Sequence, residues 1–248
     1  MNTHFQPGSF SETHEICELH RLKKIHAGGF SICQQCASDD LDKSNEKHQH
    51  DVNKMVFEKH CSGALMPERH AGSTFSNYET STQGQANALQ QCAGYVERIA
   101  KKQTCNFIMV GSTGTGKTHL ACAAAKNIIK MGLTTRYITS EEIASRIMQA
   151  WDKDAKDKSE ESVINVFAQY DLLIIDEYGL HDREKRAELV HKVLYARYDQ
   201  NKPTMLISNF TLKKLKNDLG DRLWSRFQHD GLTIVECNWK DARIQEVS

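Results

Sequence analysis

The sequence predicts an α/β fold, a mostly parallel sheet with helices on both faces, preceded by a small metal-binding region. Three observations carry that expectation. The run Cys105–Leu120, CNFIMVGSTGTGKTHL, reads as a strand, a glycine-rich turn and a helix start. Downstream of it, short apolar segments rich in β-branched residues alternate with amphipathic helical ones. Near the N-terminus, cysteine and histidine residues fall in two closely spaced pairs, Cys17 with His20 and Cys33 with Cys36. Alternating strand and helix units build parallel sheets, whose ligand sites lie beyond the carboxyl ends of the strands.

With 248 residues and 39% hydrophobic content the chain can bury one full α/β domain and something smaller. Its 32 basic and 32 acidic residues cancel. No global field therefore favours wholesale wrapping of nucleic acid, and any DNA contact must come from a local surface. No apolar run reaches the ~18 residues of a membrane span, and the N-terminus lacks a signal pattern, so a cytoplasmic protein without membrane contact is expected. Eight cysteines in a reducing compartment point to metal ligands or free thiols.

In chain order, residues 1–13 form a polar arm. Cys17, His20, Cys33 and Cys36 have the spacing C-x2-H-x12-C-x2-C, which suits a tetrahedral structural zinc site. His14, His26, His60 and Cys61 are alternative ligands. The surrounding segment has few large aliphatics, so the metal would supply its folding energy. Residues 39–61 read as a charged linking helix with a narrow apolar stripe at Val52, Met55 and Val56. Gly63–Tyr78 has the Gly and Pro punctuation of a junction, giving a zinc-binding and linking region over residues 1–62 and a second domain over 63–248. Residues 83–101 read as a helix that packs beside the first strand.

Gly111, Ser112, Thr113, Gly114, Thr115, Gly116, Lys117 and Thr118 fit G-x-x-x-x-G-K-[ST]. Glycines let such a loop turn its N–H groups around phosphates, and the next helix aims its positive end at them. Lys117 reaches the β/γ-phosphates and Thr118 is placed on Mg²⁺. Residues 134–139 and 171–175 read as strands, with Ser140 capping a helix over 141–151. Asp176, closing the second run, has the placement to hold Mg²⁺ with Thr118, and Glu177 to orient or deprotonate the attacking water. A helix over 182–198, a strand over 203–208 ending in Asn209, a basic helix over 211–219 and a strand over 232–237 follow. Asn209 positions the same water or caps the next helix.

The loop GSTGTGKTHLA, the run DLLIIDE, the strand LISN and the segment LGDRLWSRF together resemble the AAA+ initiator group, most closely the bacterial DnaC/DnaI helicase loaders. The resemblance covers residues 75–243, and the Cys/His pairs are similar to the zinc-bearing N-terminal domain of such loaders. It implies that Asn209 is sensor 1. It further implies that Arg226, with Arg222 as second candidate, is an arginine finger offered to a neighbouring subunit in an ATP-dependent assembly, and that Arg243 occupies the sensor 2 position. The helix over 141–151 takes the place of the helix facing single-stranded DNA. There Trp151, Arg146 and Lys153 form a candidate DNA contact, Trp151 being otherwise a core aromatic.

The expected function is that of an ATPase using ATP, Mg²⁺ and Zn²⁺ that binds a replicative hexameric DNA helicase and helps to load it onto single-stranded DNA. The alternatives are the ATPase subunit of an insertion-sequence transposase and a nucleotide-switched adaptor. A P-loop small-molecule kinase is disfavoured, because transfer to a bound acceptor needs no water-activating glutamate after Asp176.

Overall fold

The computed structural model describes residues 11–27, 29–151, 159–180 and 184–241. Two compact units divide between Val56 and Phe57.

In the first unit, β1 (Ser11–Ile16), β2 (Lys23–Ala27) and β3 (Phe30–Ile32) form an antiparallel sheet in chain order, and helix α1 (Gln34–Ala64) follows, running through the division. The hairpins were not legible in the sequence, since their strands are short and polar and show no clean alternation. Among this unit's described residues only Cys17 and Cys33 are buried, at 5% and 4% exposure. Its centre is therefore a thiol cluster, with no aliphatic core beside it.

The second unit is a five-stranded parallel sheet in the order β5-β6-β7-β4-β8. These strands are β4 (Asn106–Gly111), β5 (Thr135–Thr139), β6 (Leu172–Asp176), β7 (Thr204–Ser208) and β8 (Leu232–Cys237). The helices are α2 (Gln83–Ala100), α3 (Lys117–Lys130), α4 (Ser140–Gln149), α5 (Glu160–Gln169), α6 (Glu184–Asp199) and α7 (Leu212–His229). Because successive strand residues point to opposite faces, the central strands are apolar throughout. Phe107, Met109, Leu172, Ile174, Met205 and Ile207 pack with residues of α2 and α3. Ile108, Val110, Leu173, Ile175 and Leu206 pack with residues of α4, α5, α6 and α7.

Several expectations change in detail. Thr139, not Ser140, caps α4, in a capping box with Glu142; the Ser140 hydroxyl instead donates to Glu177 O at 3.2 Å. Likewise Thr211, not Asn209, caps α7, accepting from Lys214 N. That helix does not stop at Leu219 but continues to His229 across a break at Gly220, whose φ of 71° and ψ of 159° are not helical. Helix α5 was not anticipated. The expected start of α6 at Asp182 lies outside the described residues, as do Lys153 and Arg243.

Candidate nucleotide-binding site and metal cluster

The loop between β4 and α3 is shaped by glycines in conformations that side chains rarely adopt. Gly116, with φ of 82°, is the N-cap of α3, and a Cβ there would meet the Tyr78 ring at 2.7 Å. Gly111 has φ of 128° and lies so close to β8 that a Cβ would meet Cys237 O at 2.3 Å. From outside, Trp239 Nε1 and Tyr78 Oη both donate to Thr115 O, at 3.0 and 3.3 Å. Inside, the Lys117 ammonium donates to Gly111 O and Ser112 O at 2.8 and 2.5 Å.

Strand β7 lies between β4 and β6, so the chain ends that carry the loop, Asn209 and Asp176-Glu177 meet at one edge of the sheet. Thr113, Gly114, Thr115, Gly116, Lys117, Thr118, Asp176, Glu177 and Asn209 line one cavity of about 770 Å³. Asp176 is 5% exposed and accepts from the Thr118 hydroxyl at 2.9 Å, the Tyr137 hydroxyl at 2.5 Å and Glu177 N at 2.7 Å. Burial, and next the facing Asp176 carboxylate, push the Tyr137 phenol well above its usual range. Sequence reasoning missed Tyr137, because nothing but pairing of β5 with β6 brings it to Asp176. Glu177 is exposed and has φ of 55°, a left-handed conformation that costs a non-glycine residue about 1–3 kcal/mol.

The lining of the cavity also includes Pro67, Arg69, His70, Ser73 and Asn77. This segment had read only as a junction. It is held to α3 by His119 Nε2, which donates to Thr74 O at 2.9 Å, and by Lys126 Nζ, which donates to the carbonyl oxygens of His70, Ala71 and Ser73.

The two candidate arginines lie elsewhere. Arg226 stacks between Tyr195 and Tyr198, 4.7 and 4.8 Å from the ring centroids, and is 3.6 Å from Asp199 Oδ1. It lines a small hollow with Asn106 and Thr204, residues at the amino ends of β4 and β7. Arg222 is exposed one helical turn earlier. Trp151 is 44% exposed, so it is not a core aromatic. Its Nε1 donates to Glu160 Oε2 at 2.8 Å, and Lys185 Nζ lies 5.1 Å from its ring centroid. Arg146 is exposed on α4.

In the first unit, the donor atoms of Cys17, His20, Cys33 and Cys36 all lie within 4.8 Å of one another. The turn between β1 and β2 supplies the first pair, with Arg21 at φ of 57° closing it, and the start of α1 supplies the second. The separations include 3.6 Å from Cys17 Sγ to Cys36 Sγ and 3.3 Å from Cys36 Sγ to His20 Nδ1. A zinc tetrahedron with its usual bond lengths has edges of about 3.5–3.8 Å, so the donor set fits such an ion. The backbone N–H of His20 lowers the Cys17 thiol to about 6, whereas hydrogen bonding with Cys17 raises Cys36 to about 11. His20 Nε2 lies 3.1 Å from Asp39 Oδ2, leaving Nδ1 to face the thiols. Asp39 escaped notice in the sequence because it lies outside both pairs. A carboxylate behind a ligating histidine is the common way to fix its tautomer.

Fold and site together define a P-loop nucleotide-binding protein of AAA+ architecture. The chain belongs to the IstB-like ATP-binding protein family, whose profile matches residues 40–236. It is 30% identical over 175 residues to the replicative helicase loader DnaC of Escherichia coli (strain K12), covering 70% of each chain. It is 29% identical to the protein YdaV of the same organism, covering 70% of this chain and 69% of that one. Among solved structures, that of the DnaC helicase loader superposes with a TM-score of 0.59 at 21% identity, over 69% of this chain and 99% of the other. That of DnaI gives 0.56 at 20% identity, over 71% and 94%. The replication initiator DnaA bound to AMPPCP and single-stranded DNA gives 0.56 at 24% identity, over 69% and 51%. These structural likenesses establish the fold. Among the described residues, no helix is long and apolar enough to cross a membrane.

Proposed function

We propose that this protein is an ATP-dependent DNA replication factor that binds a replicative hexameric helicase and helps to load it onto single-stranded DNA. The carrying observation is the convergence of Lys117, Thr118, Asp176, Glu177 and Asn209 on one cavity, in a chain 30% identical to a replicative helicase loader over 70% of both lengths. The loop amides and Lys117 bind the β- and γ-phosphates of ATP. Thr118 and Asp176 hold Mg²⁺, which when bound neutralises charge developing on the transferred phosphoryl group. Glu177, exposed beside the loop, accepts a proton from water, and Asn209 orients that water. Arg222 and Arg226 are candidates for stabilising the transition state in a neighbouring subunit's site, and the exposure of Arg222 favours it.

Residues 1–62 form the helicase-binding region around Zn²⁺ held by Cys17, His20, Cys33 and Cys36, and residues 63–248 the ATPase. Leu19, Phe30 and Leu41 are 82%, 73% and 64% exposed in the first region, an apolar display suited to a protein partner. Trp151 and Arg146 supply the single-stranded DNA contact, with Lys153 as the third member of that assignment.

The test combines a pull-down with hexameric helicases and ATP turnover of Glu177→Gln. ATP-dependent capture of a helicase, with turnover lost but nucleotide still bound in Glu177→Gln, is the expected result. Capture of a transposase in place of any helicase would move the chain to the insertion-sequence reading. Tight nucleotide binding without wild-type turnover would make it an adaptor.

A further inference from the structure

We propose that Tyr178 is a positioning residue for Glu177, its hydroxyl tying the turn that presents the catalytic carboxylate to α6 through His191 and to α7 through Asp218. The inference rests on the reading that Glu177 handles the attacking water.

Tyr178 follows Glu177 directly and is 1% exposed. Its hydroxyl lies 2.7 Å from His191 Nε2 and 2.7 Å from Asp218 Oδ2. The phenolic hydroxyl donates its single proton to Asp218 Oδ2, so toward His191 its oxygen accepts, from Nε2–H. The imidazole also lies nearly parallel to the Tyr178 ring, at 14° and 6.3 Å between centroids. The backbone is fixed as firmly. Tyr178 N donates to Ile207 O at 3.0 Å, and the Ser208 hydroxyl donates to Tyr178 O at 2.7 Å.

Glu177 therefore sits in a turn that it could not hold by itself. Its φ of 55° is followed by 81° at Gly179, where a Cβ would meet the Phe210 ring at 2.3 Å. A left-handed residue persists only where its surroundings over-determine it, and here the next side chain is anchored at both ends. The anchor also has a direction. Asp218 lies two positions before the break at Gly220, and Arg222 two positions after it. The hydroxyl thus joins the water-handling carboxylate to the helix that carries the candidate trans arginine. Beside the apolar packing of Leu215, Leu219 and Leu223 in the same core as Ile175, this side chain is a polar connection from the end of β6 to α7, reached just before the break.

Tyr178→Phe, Asp218→Ala, Asp218→Asn and Glu177→Gln are compared in the full-length protein by steady-state ATPase, titration with a fluorescent ATP analogue and thermal melting. Tyr178→Phe and Asp218→Ala are each expected to lower kcat about ten-fold or more, with KM and analogue affinity within about two-fold of wild type. Asp218→Asn keeps an acceptor for the phenol and is expected to restore most of the rate. The double variant Tyr178→Phe/Asp218→Ala is expected to lose no more than either single one, because the two groups act as one tie. Should Tyr178→Phe fail to fold, the exposed Asp218 carries the test. Single variants at the wild-type rate beside an inactive Glu177→Gln, or losses that multiply in the double variant, would overturn the tie. A Glu177→Gln protein turning over normally would instead remove the base assignment, and the tie's catalytic role with it.

Discussion

The Thr118 hydroxyl donates to Asp176 Oδ2 across 2.9 Å, joining the start of α3 to the end of β6. Two oxygens this close, one on a buried carboxylate, form a ready pair for a hard cation, which prefers oxygen ligands and keeps several waters. Thr118→Val removes one of them while preserving shape. It is expected to leave nucleotide affinity in EDTA close to wild type and to lose most of the increase that Mg²⁺ brings, as read by titration of a fluorescent ATP analogue. An unchanged response to Mg²⁺ would take Thr118 out of the cation site.

Tyr137 donates to the same Asp176 oxygen, so it competes with a cation for that carboxylate. How much of this site the sequence displays depends on which residues are local to one another. The loop, the strand that ends in Asp176-Glu177 and the strand that ends in Asn209 each announce themselves through a short contiguous pattern. Tyr137, Arg69 and Ser73 reach the site only through strand pairing and the docking of a connecting segment on α3, and single-chain patterning does not encode register between distant strands. The small hairpins of the first unit were illegible for another reason: their strands are short and mostly polar and show no clean alternation. The two candidate arginines were legible as residue types but not as positions, since the helix that bears them bends at Gly220.

The donor cluster of the first unit leads to a metal prediction with two parts. Purified protein is expected to contain about one equivalent of zinc, and Cys33→Ser to lose it together with the fold of the first unit, because Cys17 and Cys33 are the buried residues among those described there. Asp39→Ala removes only the group behind His20 and is expected to weaken zinc binding about 10–100-fold, measured by competition with a chromogenic chelator. Zinc retained by Cys33→Ser would sink the assignment; unchanged affinity in Asp39→Ala would confine Asp39 to a surface ion pair.

At 44% exposure, Trp151 can lose its ring without opening a core cavity. One stacked base is worth about 1–3 kcal/mol, so Trp151→Ala is expected to weaken binding of a single-stranded oligonucleotide roughly ten-fold while the melting temperature stays near wild type. Fluorescence anisotropy reads the first and calorimetry the second. Unchanged oligonucleotide affinity would leave Trp151 as a partner for Glu160 and Lys185 alone.

Arg226 lines a hollow at the amino ends of β4 and β7, whereas the nucleotide cavity lies at their carboxyl ends, about 15–20 Å away along strands of five or six residues. From there Arg226 does not serve its own subunit's phosphates, and Arg222, four residues earlier on the same helix, does not line the nucleotide cavity either, so the catalytic role proposed for them is in trans. Their surroundings differ. Arg226 is engaged by Tyr195, Tyr198 and Asp199, contacts it would surrender in reaching a neighbour, while Arg222 is exposed. A trans arginine used fully contributes about 10³–10⁵ in rate. Arg222→Ala is therefore expected to keep nucleotide binding and thermal stability and to abolish assembly-stimulated turnover, whereas Arg226→Ala lowers the melting temperature through lost stacking. Mixing decides the assignment. Arg222→Ala subunits keep an intact pocket and Lys117→Ala subunits keep the finger, so the two inactive proteins combined should regain part of the ATPase. Recovery with Arg226→Ala in that role would return the finger to Arg226. No recovery with either, in folded proteins shown to co-assemble, would remove both arginines from the site.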